Sequence, residues 1–274
     1  MKNRHLIALD LDGTLLTDKK TISLRSKQVI QQAREQGHIV VIATGRPHRA
    51  SSMYYHELAL NTPMVNFNGA YTHHPLDTSW DHHHSPLELN TAREIIHALQ
   101  PFNVRNILAE VLDDVYLQND DQSIKEIFSA GNPLIKTGNL HELLAEDPTS
   151  LLIHPHDEQL DAIRSHLKEV HADVIEHRTW GAPWNVIEIV QTGIHKAYGL
   201  DRIAKYYNIT PDKVIAFGDE DNDLEMLDYA GQGVAMGNGI DSVKTIANFT
   251  TKSNEEDGVA LYLEEALLLN KKRR

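Results

Sequence analysis

The stretch that decides how this chain folds is LIALDLDGT, residues 6–14. Its first four residues are apolar, and a polar turn that begins at Asp10 follows them directly. A short apolar run bounded by a turn predicts a buried strand. Asp10 and Asp12 then lie at the carboxyl end of that strand, the edge of an open α/β sheet where ligands bind. The pair offers one nucleophile and one proton donor or metal ligand, although a solvated turn is also rich in Asp and Gly.

The alternation of strands and helices continues downstream of this stretch. Ser23 is a suitable N-cap for a helix that Gly37 can end. Residues 38–43, HIVVIA, are apolar on both alternations, which is typical of a parallel strand covered on both faces. Residues 64–67 predict a third strand. The predicted fold class is therefore α/β, a doubly wound and mostly parallel sheet.

The pattern changes in the middle of the chain. Residues 70–84 predict a hairpin, Ser85-Pro86 is typical of a helix start, and adjacent strands without a helix between them favour an antiparallel or mixed sheet. Near residue 190 the alternation of strands and helices returns. We therefore predict a discontinuous α/β core of residues 1–84 and 190–274, with an α+β cap domain of residues 85–189 inserted in it.

Composition excludes several classes of protein. The chain has 26 Lys and Arg against 39 Asp and Glu, a formal charge of −13, and no cysteine. Disulfide scaffolds and thiolate metal sites are excluded, and a nucleic-acid partner is disfavoured by charge repulsion. No apolar run approaches the roughly 20 residues that span a bilayer, and Asp10 and Asp12 interrupt the only apolar stretch near the N-terminus. We expect a cytoplasmic protein without a membrane partner.

Three further groups of polar residues follow predicted strands or begin predicted helices. The tripeptide TGR at 44–46 can hold phosphate oxygens with its hydroxyl and backbone N–H groups, or can be an ordinary helix entry. Lys196 begins a predicted helix, and the helix dipole disfavours a cation at that end. Lys196 is therefore either a residue that binds an anionic ligand or an ordinary surface lysine. The acidic stretch GDEDND at 218–223 suits Mg²⁺, although Glu220 and Asp221 fit a dipole-stabilised helix start.

The combined order of these motifs resembles the haloacid dehalogenase (HAD) superfamily of phosphatases. The inserted unit resembles the C2-type cap of the Cof-like subfamily, and so do NFNGA at 66–70 and NEEDGVA at 254–260. The resemblance spans nearly the whole chain. Its four core motifs are DxDGT at 10–14, TGR at 44–46, Lys196 and GDxxND at 218–223.

The resemblance implies a Mg²⁺-dependent phosphatase that hydrolyses a small phosphorylated metabolite through an aspartyl-phosphate. Asp10 would attack phosphorus, and Asp12 would protonate the leaving oxygen and then activate water. Such an acid needs a raised pKa or a proton taken up with substrate. Thr44 and Lys196 would hold the transferring phosphoryl oxygens.

The resemblance also implies which residues bind phosphate and metal. The phosphate-binding residues are Leu11, Thr44, Gly45, Arg46, Lys196 and Asn222. The Mg²⁺ ligands are Asp10, the main-chain carbonyl of Asp12, and Asp219, with Asp223 in support.

Other functions stay open at this point. A phosphomutase has the same core, a signalling receiver domain shares an acidic pair, Thr and Lys, and an inactive module could bind a phosphorylated ligand. The large insert and the DxDGT motif disfavour the receiver domain. Sugar phosphates, nucleotides and phosphorylated cofactors are all candidate substrates, and the oligomeric state is not encoded in any motif.

Two further groups of side chains lie outside these motifs. The first is a set of histidines that is either a transition-metal site or part of a polar, exposed hairpin. The second is Trp180 and Trp184, which either stack on a substrate or pack within the cap. The histidines are His73, His74, His82, His83 and His84.

Overall fold

A computed structural model describes residues 4–171, 175–179 and 186–269. The strands are β1 (Leu6–Leu9), β2 (Ile39–Ile42), β3 (Met64–Asn66), β4 (Tyr71–His73), β5 (His83–His84), β6 (Asn106–Val111), β7 (Asp114–Leu117), β8 (Ile135–Thr137), β9 (Ser150–His154), β10 (Ile175–Thr179), β11 (Ile187–Gln191), β12 (Val214–Gly218), β13 (Gln232–Ala235) and β14 (Phe249–Thr250). The α-helices are α1 (Leu24–Glu35), α2 (His48–Glu57), α3 (Leu89–Ala98), α4 (Gln122–Phe128), α5 (Leu140–Leu143), α6 (Leu160–His171), α7 (Lys196–Tyr206), α8 (Leu224–Tyr229), α9 (Asp241–Ile246) and α10 (Gly258–Ala266).

The chain divides into two compact units. The first comprises Met1–Arg46, Ser51–His83 and His195–Arg274, and the second comprises Pro47–Ala50 and His84–Ile194. No helix within the described ranges combines the length and the apolarity needed to cross a membrane.

A five-stranded parallel sheet organises the first unit, in the order β14-β13-β12-β1-β2. β1 is an interior strand and pairs in parallel with both β2 and β12. Its alternate side chains enter two different cores, since Ile7 and Leu9 pack in one and Leu6 and Ala8 in the other. A strand buried on both faces has to be apolar at every position, which is what the sequence of β1 provides. The predicted α/β fold class is confirmed.

The third predicted strand exists but leaves the parallel sheet. β3 pairs antiparallel with β4, and a single parallel bridge, Ala43–Val65, links it to the segment after β2. The cause is the tight turn Phe67–Gly69, in which Phe67, Asn68 and Gly69 all have positive φ. Such a turn reverses the chain and sends β4 back along β3.

Helix α1 begins where the sequence predicts, whereas helix α3 does not. Ser23 caps α1 as expected, because its Oγ accepts a hydrogen bond of 3.0 Å from the N–H of Ser26. The predicted start at Ser85-Pro86 is wrong, since α3 begins at Leu89. Its first N–H donates to the carboxylate of Asp147 at 2.8 Å, so a residue distant in sequence supplies the cap.

The second unit is built on a six-stranded sheet in the order β10-β11-β9-β6-β7-β8. All pairs are antiparallel except β7 with β8, so the predicted mixed sheet is present. Its larger core joins α3 and α6 to one face of the sheet, through residues such as Ile95, Ile163 and Leu151.

Candidate active site

The polar residues of the sequence motifs meet at the carboxyl edge of the parallel sheet. Asp10 follows β1, Thr44 lies just beyond β2, and Asp219 follows β12. The carboxyl ends of parallel strands lie side by side, so their trailing residues converge. Lys196, the first residue of α7, reaches the same place. All four are buried although they are polar, so each requires a partner.

Lys196 is the centre of this group. Its side chain is wholly buried, and its Nζ donates to Oδ1 of Asp10 at 2.6 Å and to Oδ1 of Asp223 at 2.7 Å. Burial alone would lower the pKa of Lys196, but the two carboxylates outweigh it and hold that pKa above its ordinary value. The interpretation of Lys196 as a surface lysine is wrong. We call Asp10, Lys196, Asp219 and Asp223 the aspartate–lysine cluster.

Asp223 organises the acidic loop that follows β12. Its Oδ2 accepts from the N–H of Asp219 at 2.9 Å and from the N–H of Glu220 at 3.3 Å. The Glu220 side chain caps the N–H of Asp223 in return, so Glu220 is the helix-start residue that the sequence suggested. Because both Asp223 oxygens are occupied within the protein, this carboxylate positions the loop and Lys196.

Asp219 is the more available carboxylate of that loop. Its Oδ1 accepts a hydrogen bond of 2.7 Å from the hydroxyl of Thr14. Gly13 has a φ of +76°, and a Cβ at that position would overlap the Asp219 carboxylate. The glycine of the DxDGT motif therefore provides both the left-handed backbone and the space that Asp219 occupies.

The aspartate–lysine cluster has a surplus of negative charge that suits a divalent cation. Oxygens of Asp10, Asp219 and Asp223 lie within 4.8 Å of one another, which no other group of three acidic or histidine side chains in the described residues achieves. Burial is the main reason why the pKa of Asp10 is raised and that of Asp219 is raised to about 7. Since one ammonium faces three carboxylates, carboxylate oxygens are free to bind a hard cation such as Mg²⁺.

Asp12 has a different environment from Asp10. Arg46 forms a two-pronged ion pair with it, from Nε to Oδ2 at 2.6 Å and from Nη2 to Oδ1 at 2.7 Å, and Lys20 Nζ lies 2.6 Å from Oδ1. Burial alone would raise the pKa of Asp12, but Arg46 and Lys20 outweigh it and lower that pKa to about 2. The sequence left two ways for Asp12 to carry a proton, a raised pKa or a proton taken up with substrate. The expectation of a raised pKa is wrong for this conformation. Leu11, between the two aspartates, is buried in the core and offers only its backbone to a ligand.

The TGR loop, residues 44–46, packs against Asn68. The hydroxyl of Thr44 accepts the N–H of Arg46 at 3.1 Å, and the carbonyl of Thr44 accepts the N–H of Asn68 at 3.2 Å. A Cβ on Gly45 would press on the Asn68 amide at 3.1 Å, so the loop lies directly against it. Asn68 Oδ1 in turn accepts from Asn222 Nδ2 at 3.0 Å. The sequence signalled Asn68 only as part of NFNGA, and the contact with Asn222 was not foreseen.

The histidine group offers no cluster of three metal ligands in the part of the chain that the structure describes. Among the residues that the structure describes, no three of its imidazoles and neighbouring carboxylates lie close enough together to share an ion. The alternative of a polar, exposed hairpin is wrong at His73, which is buried and hydrogen-bonded to Asn66, whereas His82 is exposed. Trp180 and Trp184 lie outside the described residues.

The fold and this cluster together define the class of the protein. A doubly wound parallel sheet with an aspartate–lysine cluster at its carboxyl edge fits the HAD-like phosphatases that the motifs resemble. A family model described as haloacid dehalogenase-like hydrolase matches residues 7–263. The chain therefore belongs to the haloacid dehalogenase-like hydrolases, in their Cof-like branch, and it is a phosphoric monoester hydrolase.

Individual relatives agree with this assignment. The chain is 55% identical over 261 residues to the 5-amino-6-(5-phospho-D-ribitylamino)uracil phosphatase YitU of Bacillus subtilis, covering 95% of this chain and 97% of the relative. It is 31% identical over 285 residues to the pyridoxal phosphate phosphatase YbhA of Escherichia coli, covering 96% and 99%. A crystal structure from Thermotoga maritima matches with a TM-score of 0.83 at 29% identity, covering 96% of this chain and 97% of that one.

Proposed function

We propose that this phosphatase is Mg²⁺-dependent and hydrolyses a small phosphate monoester through an aspartyl-phosphate on Asp10. The observation that carries the proposal is the distance of 2.6 Å between Lys196 Nζ and Asp10 Oδ1. A carboxylate nucleophile divides one difficult displacement into two easier ones. An ammonium beside it offsets the charge of the transferring phosphoryl group, which is the main task in this type of catalysis.

The residues of the site account for both half-reactions. Asp10 attacks phosphorus while the bond from phosphorus to the ester oxygen breaks, and Asp12 gives its proton to that oxygen. Asp12 then takes a proton from water as the water attacks the aspartyl-phosphate, which releases inorganic phosphate and restores Asp10. Because Asp12 is held by Arg46 and Lys20, it has to leave these ion pairs and take up a proton before it acts as an acid.

The phosphoryl oxygens have several donors available in the first unit. Lys196 uses two of its three N–H groups on carboxylates and retains the third. Thr44 accepts the Arg46 N–H and keeps its own hydroxyl hydrogen to donate. The backbone N–H groups of Leu11 and Gly45 complete the proposed set, together with the Arg46 and Asn222 side chains.

The donor set also fits Mg²⁺. Asp10, the main-chain carbonyl of Asp12, and Asp219 would hold the ion, and Asp223 would support the loop on which Asp219 lies. When bound, Mg²⁺ supplies the positive charge that lets an anionic substrate approach these carboxylates.

The substrate that we propose is 5-amino-6-(5-phospho-D-ribitylamino)uracil. The support for it is the relative from Bacillus subtilis, which is named for that substrate and is 55% identical along nearly the whole chain. Pyridoxal phosphate is the competing candidate, supported by a relative of 31% identity. We also propose that the enzyme acts in the cytoplasm, where small phosphorylated metabolites are found.

A phosphate-release assay tests these proposals separately. The purified protein is supplied with 5-amino-6-(5-phospho-D-ribitylamino)uracil, pyridoxal 5′-phosphate or a hexose phosphate, each with Mg²⁺ and with excess chelator. We expect the highest kcat/KM for the first compound and no turnover in chelator. A higher kcat/KM for another ester would refute the substrate, and full activity in chelator would refute the metal. Isomerised sugar phosphate without free phosphate would indicate a phosphomutase.

A further inference from the structure

His73, one of the grouped histidines, is buried beside the site. It lies on β4 opposite Met64 of β3, so its side chain shares a face with Asn66, two residues further along β3. Its ring stacks on that of Tyr71 at 4.3 Å with an interplanar angle of 19°. From this fixed position its Nε2 lies 3.1 Å from Oδ1 of Asn66.

The side-chain amide of Asn66 is buried and its hydrogens are fully used. Nδ2 donates to the carbonyl oxygen of Arg46 at 2.8 Å and to the hydroxyl of Ser51 on α2 at 2.9 Å. Oδ1 is therefore the acceptor, and Nε2 of His73 is the donor. This amide links the TGR loop to α2.

The Arg46 carbonyl sets the orientation of the Asn66 amide, and the hydrogen bond from His73 restrains it there. A hydroxyl either donates or accepts, so Ser51 is compatible with both orientations of the amide. The Arg46 carbonyl accepts only, and a rotated amide would turn Oδ1 toward it. In the orientation that the Arg46 carbonyl sets, Nε2–H of His73 donates to Oδ1 and so holds the amide in place against that carbonyl.

We propose that His73 is a positioning residue for the TGR loop, acting through Asn66 on the carbonyl of Arg46. The inference rests on the proposed role of that loop in binding phosphate. The Arg46 carbonyl also accepts from the N–H of Phe67 at 3.3 Å. The loop is therefore loosened rather than lost without His73, and we expect phosphate affinity to fall by roughly fivefold, the effect of one neutral hydrogen bond.

The test compares four variants by two readouts. His73→Phe keeps an aromatic ring beside Tyr71 without a donor, His73→Leu removes ring and donor, and His73→Gln keeps an N–H donor. His82→Leu is the matched control, because His82 belongs to the same histidine group and is exposed. The readouts are the Kd of inorganic phosphate in the presence of Mg²⁺ and the backbone amide resonances of Gly45 and Arg46 in ligand-free protein.

We expect His73→Phe and His73→Leu to weaken phosphate binding and to shift both amide resonances, while His73→Gln and His82→Leu leave them near wild type. In an Asn66→Ala background, His73→Phe should have no further effect on phosphate affinity. Unmoved resonances of Gly45 and Arg46 in His73→Phe would overturn the inference, and so would an equal loss of affinity in His73→Gln. If wild type neither binds nor releases phosphate, the proposed function fails, and the resonances still test the relay.

Discussion

The Nζ of Lys196 and the Oδ1 of Asp10 lie 2.6 Å apart in the interior of the protein, although 186 residues separate them along the chain. Asp223 holds the other side of the same ammonium at 2.7 Å. Taking a lysine and two carboxylates out of water is costly, and breaking such a group is worse than never having built it. Removal of one member of the cluster therefore destabilises the fold, in addition to its effect on the proposed chemistry.

Replacing the central lysine should cost both stability and activity. Lys196→Met leaves Asp10 and Asp223 buried without their cation, and we expect the free energy of unfolding in urea to fall by about 3–5 kcal/mol. Phosphate release should be lost. The control is Lys205→Met, which removes an exposed ion pair with Asp201 and should change stability by less than about 1 kcal/mol. Equal stability of the two variants would contradict the account.

The space beside Asp219 gives a second prediction. Gly13→Ala and Gly37→Ala both put a side chain on a residue with positive φ, at +76° and +92° respectively. Both should lose about 1–2 kcal/mol of stability from backbone strain. Only Gly13→Ala also displaces the Asp219 carboxylate, because no atom beyond the residues that flank Gly37 lies within 4 Å of the Cβ position there.

Mg²⁺ affinity separates these two glycine variants. We expect isothermal titration calorimetry to show that Gly13→Ala binds Mg²⁺ about 10–100-fold more weakly than wild type. Such a loss is usual when the contacts that hold a metal ligand in place are disturbed. Gly37→Ala should match wild type. A Gly13→Ala protein with unchanged Mg²⁺ affinity would mean that Asp219 does not bind the ion.

His38 should make stability depend on pH in an acidic range. Its Nδ1 accepts the N–H of His5 at 3.1 Å, and burial, followed by the nearby His5, lowers the pKa of His38 to about 4. Between pH 6.5 and 4 the unfolded chain binds a proton at this residue and the folded protein does not, so stability falls as pH falls. Above pH 6.5 His38 contributes no slope.

The variant His38→Asn tests this, because an amide oxygen can accept the same N–H without titrating. We expect the stability of wild type to drop by about 1–2 kcal/mol more than that of His38→Asn as pH falls through this range, after allowance for solvent screening. Parallel stability profiles for the two proteins would show that His38 is protonated without cost in the folded state.

The residues best predicted from sequence were those that follow apolar strands. Asp10, Thr44 and Asp219 each come after such a run, and parallel pairing alone brings the ends of those strands together. The pattern therefore predicts the fold class and the edge of the sheet at which these residues meet. The sequence also predicts that Lys196 begins a helix, as it does in α7, but its burial depends on contacts with residues far along the chain.

Partners of the site residues could not be predicted, because local pattern carries no information on distant side-chain pairs. Lys20 and Arg46 hold Asp12, and Asp147 rather than Ser85 supplies the cap of α3. Likewise, polarity made His73 look exposed, whereas its hydrogen bond to Asn66 pays for burying it. The periodicity of a sequence predicts which face of a helix or strand is apolar, but it does not predict which polar side chains pair with each other.

Asp10→Asn is the variant that tests the central claim most directly. The amide keeps the size of the carboxylate and leaves Lys196 paired with Asp223, so the variant should fold, which circular dichroism can verify. The decisive measurement is phosphate release from 5-amino-6-(5-phospho-D-ribitylamino)uracil with saturating Mg²⁺. The account predicts turnover by wild type and none above background by Asp10→Asn; near-normal turnover by the folded variant would contradict it.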